Sequence, residues 1–399
     1  MNMNLPEIIE LDRKHLFQNF GNRLEAAFVR GEGAFLYDTA GREYIDFLAG
    51  ISVSNIGYSH PAFNAAISEQ ITSLIHTSNW YFNREQGEAA ACIDAASFPG
   101  RTFFSNSGTE ANEAAIKLAR HYGTLRSSEQ YEIVSFSKSF HGRTFGGMSA
   151  TAQEKIKKGF GPLVPGFVHA EYNNYEDFLV KLSPRTCAVM IELVQGEGGI
   201  IVADREFVKK VAGCCREREI LLIVDEIQTG MCRTGKFFAY QHYDIKPDII
   251  TLAKALANGI PSGAIHARED LLSMLPAGYH GSTFGGNHLA TRAVCEVFRI
   301  MSDPSFLAHV RDISQYFFER LIEMKRKFSV INDVRGLGLH IGVELSVEGM
   351  PFVKRALQEG LIINCTAGNV IRIMPPLVID RITAGRGLDI LEKILSAGL

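Results

Sequence analysis

Between residues 100 and 255 the chain repeats one pattern, and that pattern limits the folds open to it. Short apolar runs recur at Thr102-Phe103-Phe104, Ile133-Val134-Ser135-Phe136, Ala188-Val189-Met190-Ile191, Leu221-Leu222-Ile223-Val224 and Ile249-Ile250-Thr251-Leu252. Helical stretches, such as Glu110 to Arg120 and Phe207 to Arg218, separate several of them. Continuous apolar strands between helices predict an α/β fold whose sheet is mostly parallel and covered on both faces. The flanking regions read differently. Ala27-Phe28-Val29, Ala34-Phe35-Leu36-Tyr37 and Tyr44-Ile45-Asp46-Phe47 are strand-like runs with turn residues between them. Amphipathic helices at Leu289 to Met301 and Ser305 to Lys327 precede a strand-rich tail that includes Gly338 to Leu345 and Val370 to Met374. A large domain over 50–287 is expected, with a smaller α+β domain combining 1–49 and 288–399. A chain of 399 residues is long enough for two such units.

Three segments carry candidate chemistry. Ser105-Asn106-Ser107-Gly108-Thr109-Glu110 follows a strand and opens a helix, where free N–H groups bind an anion such as phosphate. Read alone, Thr109 is equally an ordinary helix cap. Leu222-Ile223-Val224-Asp225-Glu226 is an apolar strand ending in carboxylates, where ligands of open α/β sheets bind. Read alone, Asp225 suits a metal, a ribose, a protonated ring nitrogen or a helix cap. Lys254 sits just past the strand Ile249-Ile250-Thr251-Leu252 among apolar neighbours. Desolvation frees a lysine amine for Schiff-base chemistry, although a solvated strand-end lysine is the commoner arrangement. Together, in that order on successive strands, a phosphate cradle, a ring-nitrogen carboxylate and a Schiff-base lysine are the three handles that pyridoxal phosphate needs. The motifs Gly336-x-Gly338 and Gly196-x-Gly198-Gly199 complete no dinucleotide fingerprint, and the histidines show no metal-ligand spacing.

The chain resembles the class III aminotransferases of fold type I. The resemblance rests on S-G-T-E-A-N at 107–112, F-H-G-R at 140–143, Q-G-E-G-G at 195–199, D-E-I-Q-T-G at 225–230, A-K-A-L at 253–256, H-G-S-T-F-G-G-N at 280–287 and V-I-R-I-M-P-P-L at 370–377. It runs from about Phe20 to Ile379 and is strongest toward acetylornithine aminotransferases, with ornithine aminotransferases close behind. It implies a large domain with a mostly parallel seven-stranded sheet, and pyridoxal 5'-phosphate as cofactor. Ser107, Gly108 and Thr109 would take the cofactor phosphate, Phe140 would stack on its ring, and Asp225 would pair with the ring nitrogen. Glu226, Ile227 and Gln228 would complete the cofactor wall, Gln228 at the ring hydroxyl and Glu192 supporting it. Lys254 would hold the cofactor as a Schiff base and then shuttle the proton. Thr283 would reach the phosphate in the other subunit, with Ser282 near substrate, in a homodimer with shared sites. Arg143 would hold the distal carboxylate of the substrate and Arg372 the α-carboxylate of glutamate, with Glu197 pairing Arg372 when that carboxylate is missing.

The chain departs from its family at Leu193, at Ala257-Asn258-Gly259-Ile260, at Ile265-His266-Ala267-Arg268 and at Phe20, where a tyrosine near the substrate is usual. The expected reaction moves the terminal amine of N-acetylornithine to 2-oxoglutarate. Ornithine, 4-aminobutyrate, succinylornithine and succinyl-diaminopimelate are alternative donors. A mutase or racemase fits less well, because the Arg372–Glu197 pair suits two different substrates, and a non-catalytic pyridoxal-phosphate-binding regulator is the remote alternative. The net charge of −3, with basic residues dispersed, implies no nucleic-acid partner. No segment is apolar enough to span a membrane, Met1 to Glu10 lacks a secretory pattern, and the seven scattered cysteines suggest free thiols in the cytoplasm.

Overall fold

The computed structural model describes residues 3–397. The N-terminal ribbon consists of β1 (Phe28–Glu32), β2 (Phe35–Asp38) and β3 (Glu43–Asp46). Its turns close at Gly33 and Gly41, whose φ values of 55° and 79° lie in the left-handed region that side chains resist. The central strands are β4 (Gly100–Ser105), β5 (Glu132–Phe136), β6 (Phe167–Ala170), β7 (Thr186–Ile191), β10 (Leu221–Asp225), β11 (Ile249–Leu252) and β12 (Gly263–Arg268), with a small hairpin, β8 (Val194–Gln195) and β9 (Ile201–Val202), after β7. The seven pair in the order β4-β12-β11-β10-β7-β5-β6. Every pairing is parallel except the two made by β12.

Every residue of β5, β7, β10 and β11 is buried, which is why those strands read as unbroken apolar runs. The two strands without such a signal, β6 and β12, carry polar residues at covered positions. His266 in β12 is fully buried yet satisfied: its Nε2–H donates to Phe98 O at 2.7 Å, and Nδ1 lies 2.9 Å from Thr102 Oγ1. The predicted helices appear as Gly108–Thr124, Arg205–Glu217, His288–Met301 and Pro304–Lys327. Asp303 caps the last of these and Pro304 occupies its first turn, where a missing N–H costs nothing.

The tail contributes β13 (Ile331–Leu337), β14 (His340–Leu345), β15 (Leu361–Ile362), β16 (Asn364–Thr366) and β17 (Val370–Ile373). Four of these form a separate sheet in the order β13-β14-β17-β16, while β15 adds to the ribbon parallel to β3. The two chain ends therefore share a sheet. Arg233, with no exposed surface, ties both ends to the segment after β10. Its guanidinium donates to Ser52 Oγ (2.9 Å), Asn55 Oδ1 (2.5 Å), Leu339 O (3.0 Å) and Pro375 O (2.7 Å).

Removing Arg233 takes a charged donor from four buried acceptors. Arg233→Ala should lose roughly 3–5 kcal/mol of stability, because breaking a buried charged network leaves its partners unpaired. Urea unfolding of the variant beside the parent measures it; a loss below about 1 kcal/mol contradicts the tie.

Candidate active site

β4, β5, β7, β10 and β11 run in one direction, so their carboxyl ends share one rim of the sheet. The motif residues leave from those ends: Ser107 and Gly108 after β4, Phe140 and His141 after β5, Glu192 after β7, Asp225 at the end of β10 and Lys254 after β11. They converge on a cavity of about 380 Å³, also lined by Thr109, Arg143, Glu197, Ile227 and Gln228.

Ser107, not Thr109, caps the helix Gly108–Thr124, its Oγ accepting from Glu110 N at 3.3 Å. Among the described residues the N–H groups of Gly108 and Thr109 have no acceptor, as expected in a first helical turn. That turn can hold an anion. Gly108 is needed for packing as well, since a Cβ there would lie 2.8 Å from Ile227 Cδ1.

Asp225 is 4% exposed. Its Oδ2 accepts from Asn112 Nδ2 at 2.9 Å and sits 2.8 Å from His141 Nδ1, while Oδ1 accepts from Ile227 N at 3.1 Å. Burial pulls the pKa of His141 down, but the hydrogen bond and charge of Asp225 outweigh it and leave it raised. Asn112 and His141 lay inside motif strings but had no role in the sequence reading. Charge complementarity to a buried Asp225 is the signal that singles them out.

Lys254 is held at φ 50°, a strained conformation for a side-chain-bearing residue and a mark of functional sites. Its pKa is lowered to about 8, first by burial and then by Arg372, against the opposing pull of Glu197, Asp225 and Glu192. Burial raises the Glu192 carboxyl to about 8, and its Oε2 accepts from Phe140 N at 2.9 Å. Glu192 thus braces the aromatic wall rather than Gln228. Gln228 approaches Gly196 closely, where a Cβ would lie 1.8 Å from Gln228 Oε1. The glycine string at 196–199, no part of any dinucleotide fingerprint, serves this site.

Arg372 in β17 is 2% exposed and donates to Glu197 Oε1 at 2.5 Å and to Asn364 Oδ1 at 3.0 Å. Burial alone would raise the Glu197 carboxyl, but Arg372 reverses the direction and holds it low. Arg143 lies at the cavity mouth, exposed and without an ion-pair partner among the described residues, its guanidinium 5.8 Å from the Phe140 ring.

Four expected residues lie outside this cavity. Glu226 points away from the cavity, accepting from Thr229 Oγ1 (2.5 Å) and Tyr240 N (2.8 Å); burial raises its carboxyl to about 7. Phe20 is 78% exposed and lies against Arg23 rather than at the cavity. Ser282 and Thr283 line a second, open cavity of about 770 Å³ with Asn79, Trp80 and His280. Ser282 Oγ accepts from Asn106 Nδ2 at 3.1 Å, and Asn106 lines the first cavity, so the two are linked through that residue.

The class III aminotransferase family profile matches residues 18–395. The chain is 46% identical over 382 residues to an acetylornithine aminotransferase of Aquifex aeolicus, covering 96% of this chain and all of that one. It is 42% identical over 395 residues to an acetylornithine aminotransferase of Methanocaldococcus jannaschii, covering 99% of each. Among solved structures, an ornithine aminotransferase of Toxoplasma gondii, described with pyridoxal phosphate at its active site, superposes with a TM-score of 0.95 at 31% identity, covering 99% of this chain and 94% of that one. An acetylornithine aminotransferase of Elizabethkingia anophelis superposes at 0.88 with 31% identity, covering 99% and 100%.

The Lys254 amine should show its lowered pKa directly. In the cofactor-free protein its acylation should rise with pH through a midpoint near 8, not the ordinary 10.5, followed by peptide mapping. Glu197→Gln removes a charge that favours the ammonium form and should lower the midpoint; Arg372→Met should raise it. A midpoint above 10 in the parent refutes the burial.

Proposed function

The chain belongs to the class III aminotransferases, and we propose that it moves the terminal amine of N-acetylornithine to 2-oxoglutarate, giving N-acetylglutamate semialdehyde and glutamate. Pyridoxal phosphate is its cofactor, and its substrates are an amino donor and a 2-oxo acid. The residues present fit that cofactor. The free N–H groups of Gly108 and Thr109 match its phosphate, Asp225 matches a protonated ring nitrogen, and the buried Lys254 amine matches its aldehyde. When bound, it supplies a ring that takes up the electron pair left as a proton departs from the amine-bearing carbon.

The chain's own residues do the rest. Lys254, with a pKa near 8, carries a substantial neutral fraction at physiological pH and can both take and return that proton. Asp225, oriented by Asn112 and His141, would hold the proton on the ring nitrogen. Phe140, braced by Glu192, would wall one face and exclude water. Arg143, unpaired at the mouth, meets the carboxylate farthest from the reacting amine.

The observation that carries the reading is the Arg372–Glu197 pair. N-acetylornithine reacting at its terminal amine brings no carboxylate to Arg372, and a buried unpaired guanidinium is costly, so Glu197 stays on it. Glutamate reacting at its α-amine brings its own carboxylate, and Glu197, one third exposed, has room to leave while Asn364 keeps Arg372 in place. Two substrates of different shape can then use one site.

The functional unit we assign is a homodimer. Trp80, Tyr81, Phe82 and Phe284 are exposed near the cavity that holds Ser282 and Thr283, and a large apolar patch of this kind supports a subunit interface. Thr283 would then serve the partner's phosphate. All seven cysteines are free thiols, which supports a cytoplasmic location. No helix among the described residues is long and apolar enough to cross a membrane.

Single-turnover spectra of the holoenzyme test the donor. N-acetylornithine should bleach the cofactor's visible band faster than ornithine or 4-aminobutyrate. A band that persists with N-acetylornithine but bleaches with another amine overturns the donor and leaves the family intact. Arg372→Ala should weaken the glutamate half-reaction by about 2–5 kcal/mol and the donor half-reaction much less; equal losses in both contradict the division of roles.

A further inference from the structure

His340 is the one histidine among the described residues whose two ring nitrogens are both buried without a hydrogen-bond partner. It has no exposed surface. Orphaned polar groups in a native interior are uncommon and call for a specific explanation. No step of the reaction as described above uses this residue.

The strand register places it. In the antiparallel pair of β14 and β17, Gly342 stands opposite Arg372. Directly opposed residues project to the same face, and so do residues two apart on one strand. His340 is therefore a diagonal neighbour of Arg372 on the same face, within the distance that long side chains bridge. Gly342, a neighbour of both on that face, has no side chain, and Ile200 and Val370 pack over it. Arg233, Arg372 and Lys254 are the charged groups whose fields reach the imidazole. Burial, reinforced by those three cations, holds its pKa far below the usual histidine range and keeps the ring neutral.

A neutral imidazole carries one N–H donor. Arg372 offers donors beside it, of which Nη1 is taken by a single oxygen of Glu197. Once Glu197 leaves, two adjacent donor groups lack an acceptor, and a carboxylate has oxygens for both. We propose that His340 is a specificity-determining residue of the acceptor half-reaction, its ring N–H donating to the substrate α-carboxylate that displaces Glu197 from Arg372. The proposal rests on the reading of Arg372 as the α-carboxylate site. Because N-acetylornithine places no carboxylate there, His340 acts on one half-reaction only.

The test separates the half-reactions by rapid mixing of holoenzyme with glutamate or with N-acetylornithine. His340→Met removes the donor at similar volume and should raise the apparent dissociation constant for glutamate about tenfold, the loss of one hydrogen bond to a charged group, with the saturating rate kept. The N-acetylornithine half-reaction should stay within about twofold. His340→Gln, which keeps an N–H donor, should recover most of the glutamate affinity. Equal change in both half-reactions, or none with glutamate, overturns the proposal. Arg372→Ala in the same series is the reference. If it loses glutamate while His340→Met does not, only the role of His340 fails; if it spares glutamate, the reading of Arg372 fails first. Should His340→Met not fold, the parent decides the matter through ¹⁵N spectra of its labelled histidines with and without glutarate. The His340 ring signals should move on binding, and signals that stay fixed, as with an ordered water alone, refute the contact.

Discussion

A carboxylate removed from water at the end of a parallel strand organises this molecule. Asn112, His141 and the Ile227 amide all hydrogen-bond Asp225, so its carboxylate oxygens are satisfied although it is buried. Those donors come from different places. Asn112 belongs to the helix Gly108–Thr124, whose first turn presents the free N–H groups, and His141 to the segment after β5 that also carries Phe140 and Arg143. Satisfying one ion therefore sets the positions of the phosphate cradle, the aromatic wall and the mouth of the cavity relative to one another. His141 also donates its own charge balance to the site, since the carboxylate draws its pKa upward against burial.

On the opposite side of the cavity the balance is reversed. Lys254, Arg372 and Arg233 bring three cations into the interior, and each has a different compensation. Arg233 is saturated by backbone and side-chain oxygens and works as a structural tie between the chain ends. Arg372 has Asn364 and Glu197, the second being the partner that we propose glutamate displaces. Lys254 has no such partner, and its pKa falls toward neutrality, which suits a group that must both accept and release a proton.

Where the sequence was legible, one physical signal dominated. Strands covered on both faces, such as β7 and β10, show as apolar runs, and helices with one buried stripe show by their period. β6 and β12 stayed hidden because His169 and His266 are polar residues whose hydrogen bonds are made only by distant segments. The same reason hid the placement of Glu226, which resembles Asp225 in sequence but turns to Tyr240 on the far side of its strand, since adjacent strand-end residues point opposite ways. Gly196 had no visible purpose until Gln228 was found against it. Phe20 and Thr283 carry family positions, yet neither reaches this chain's own cavity.

The sequence by itself marked five of the seven central strands, the order in which they bring up their ligands, and Lys254, Asp225 and Arg372 as candidates, because each is written in local pattern or in an ordered series of motifs. Only the tertiary structure decided which charges meet. That Glu197 lies on Arg372, that Asn112 and His141 share Asp225, and that both His340 ring nitrogens are buried without a partner depend on packing between residues far apart in the chain. Hydrogen bonds and ion pairs act over a few ångströms of space, and distance along the chain carries no record of them until it folds.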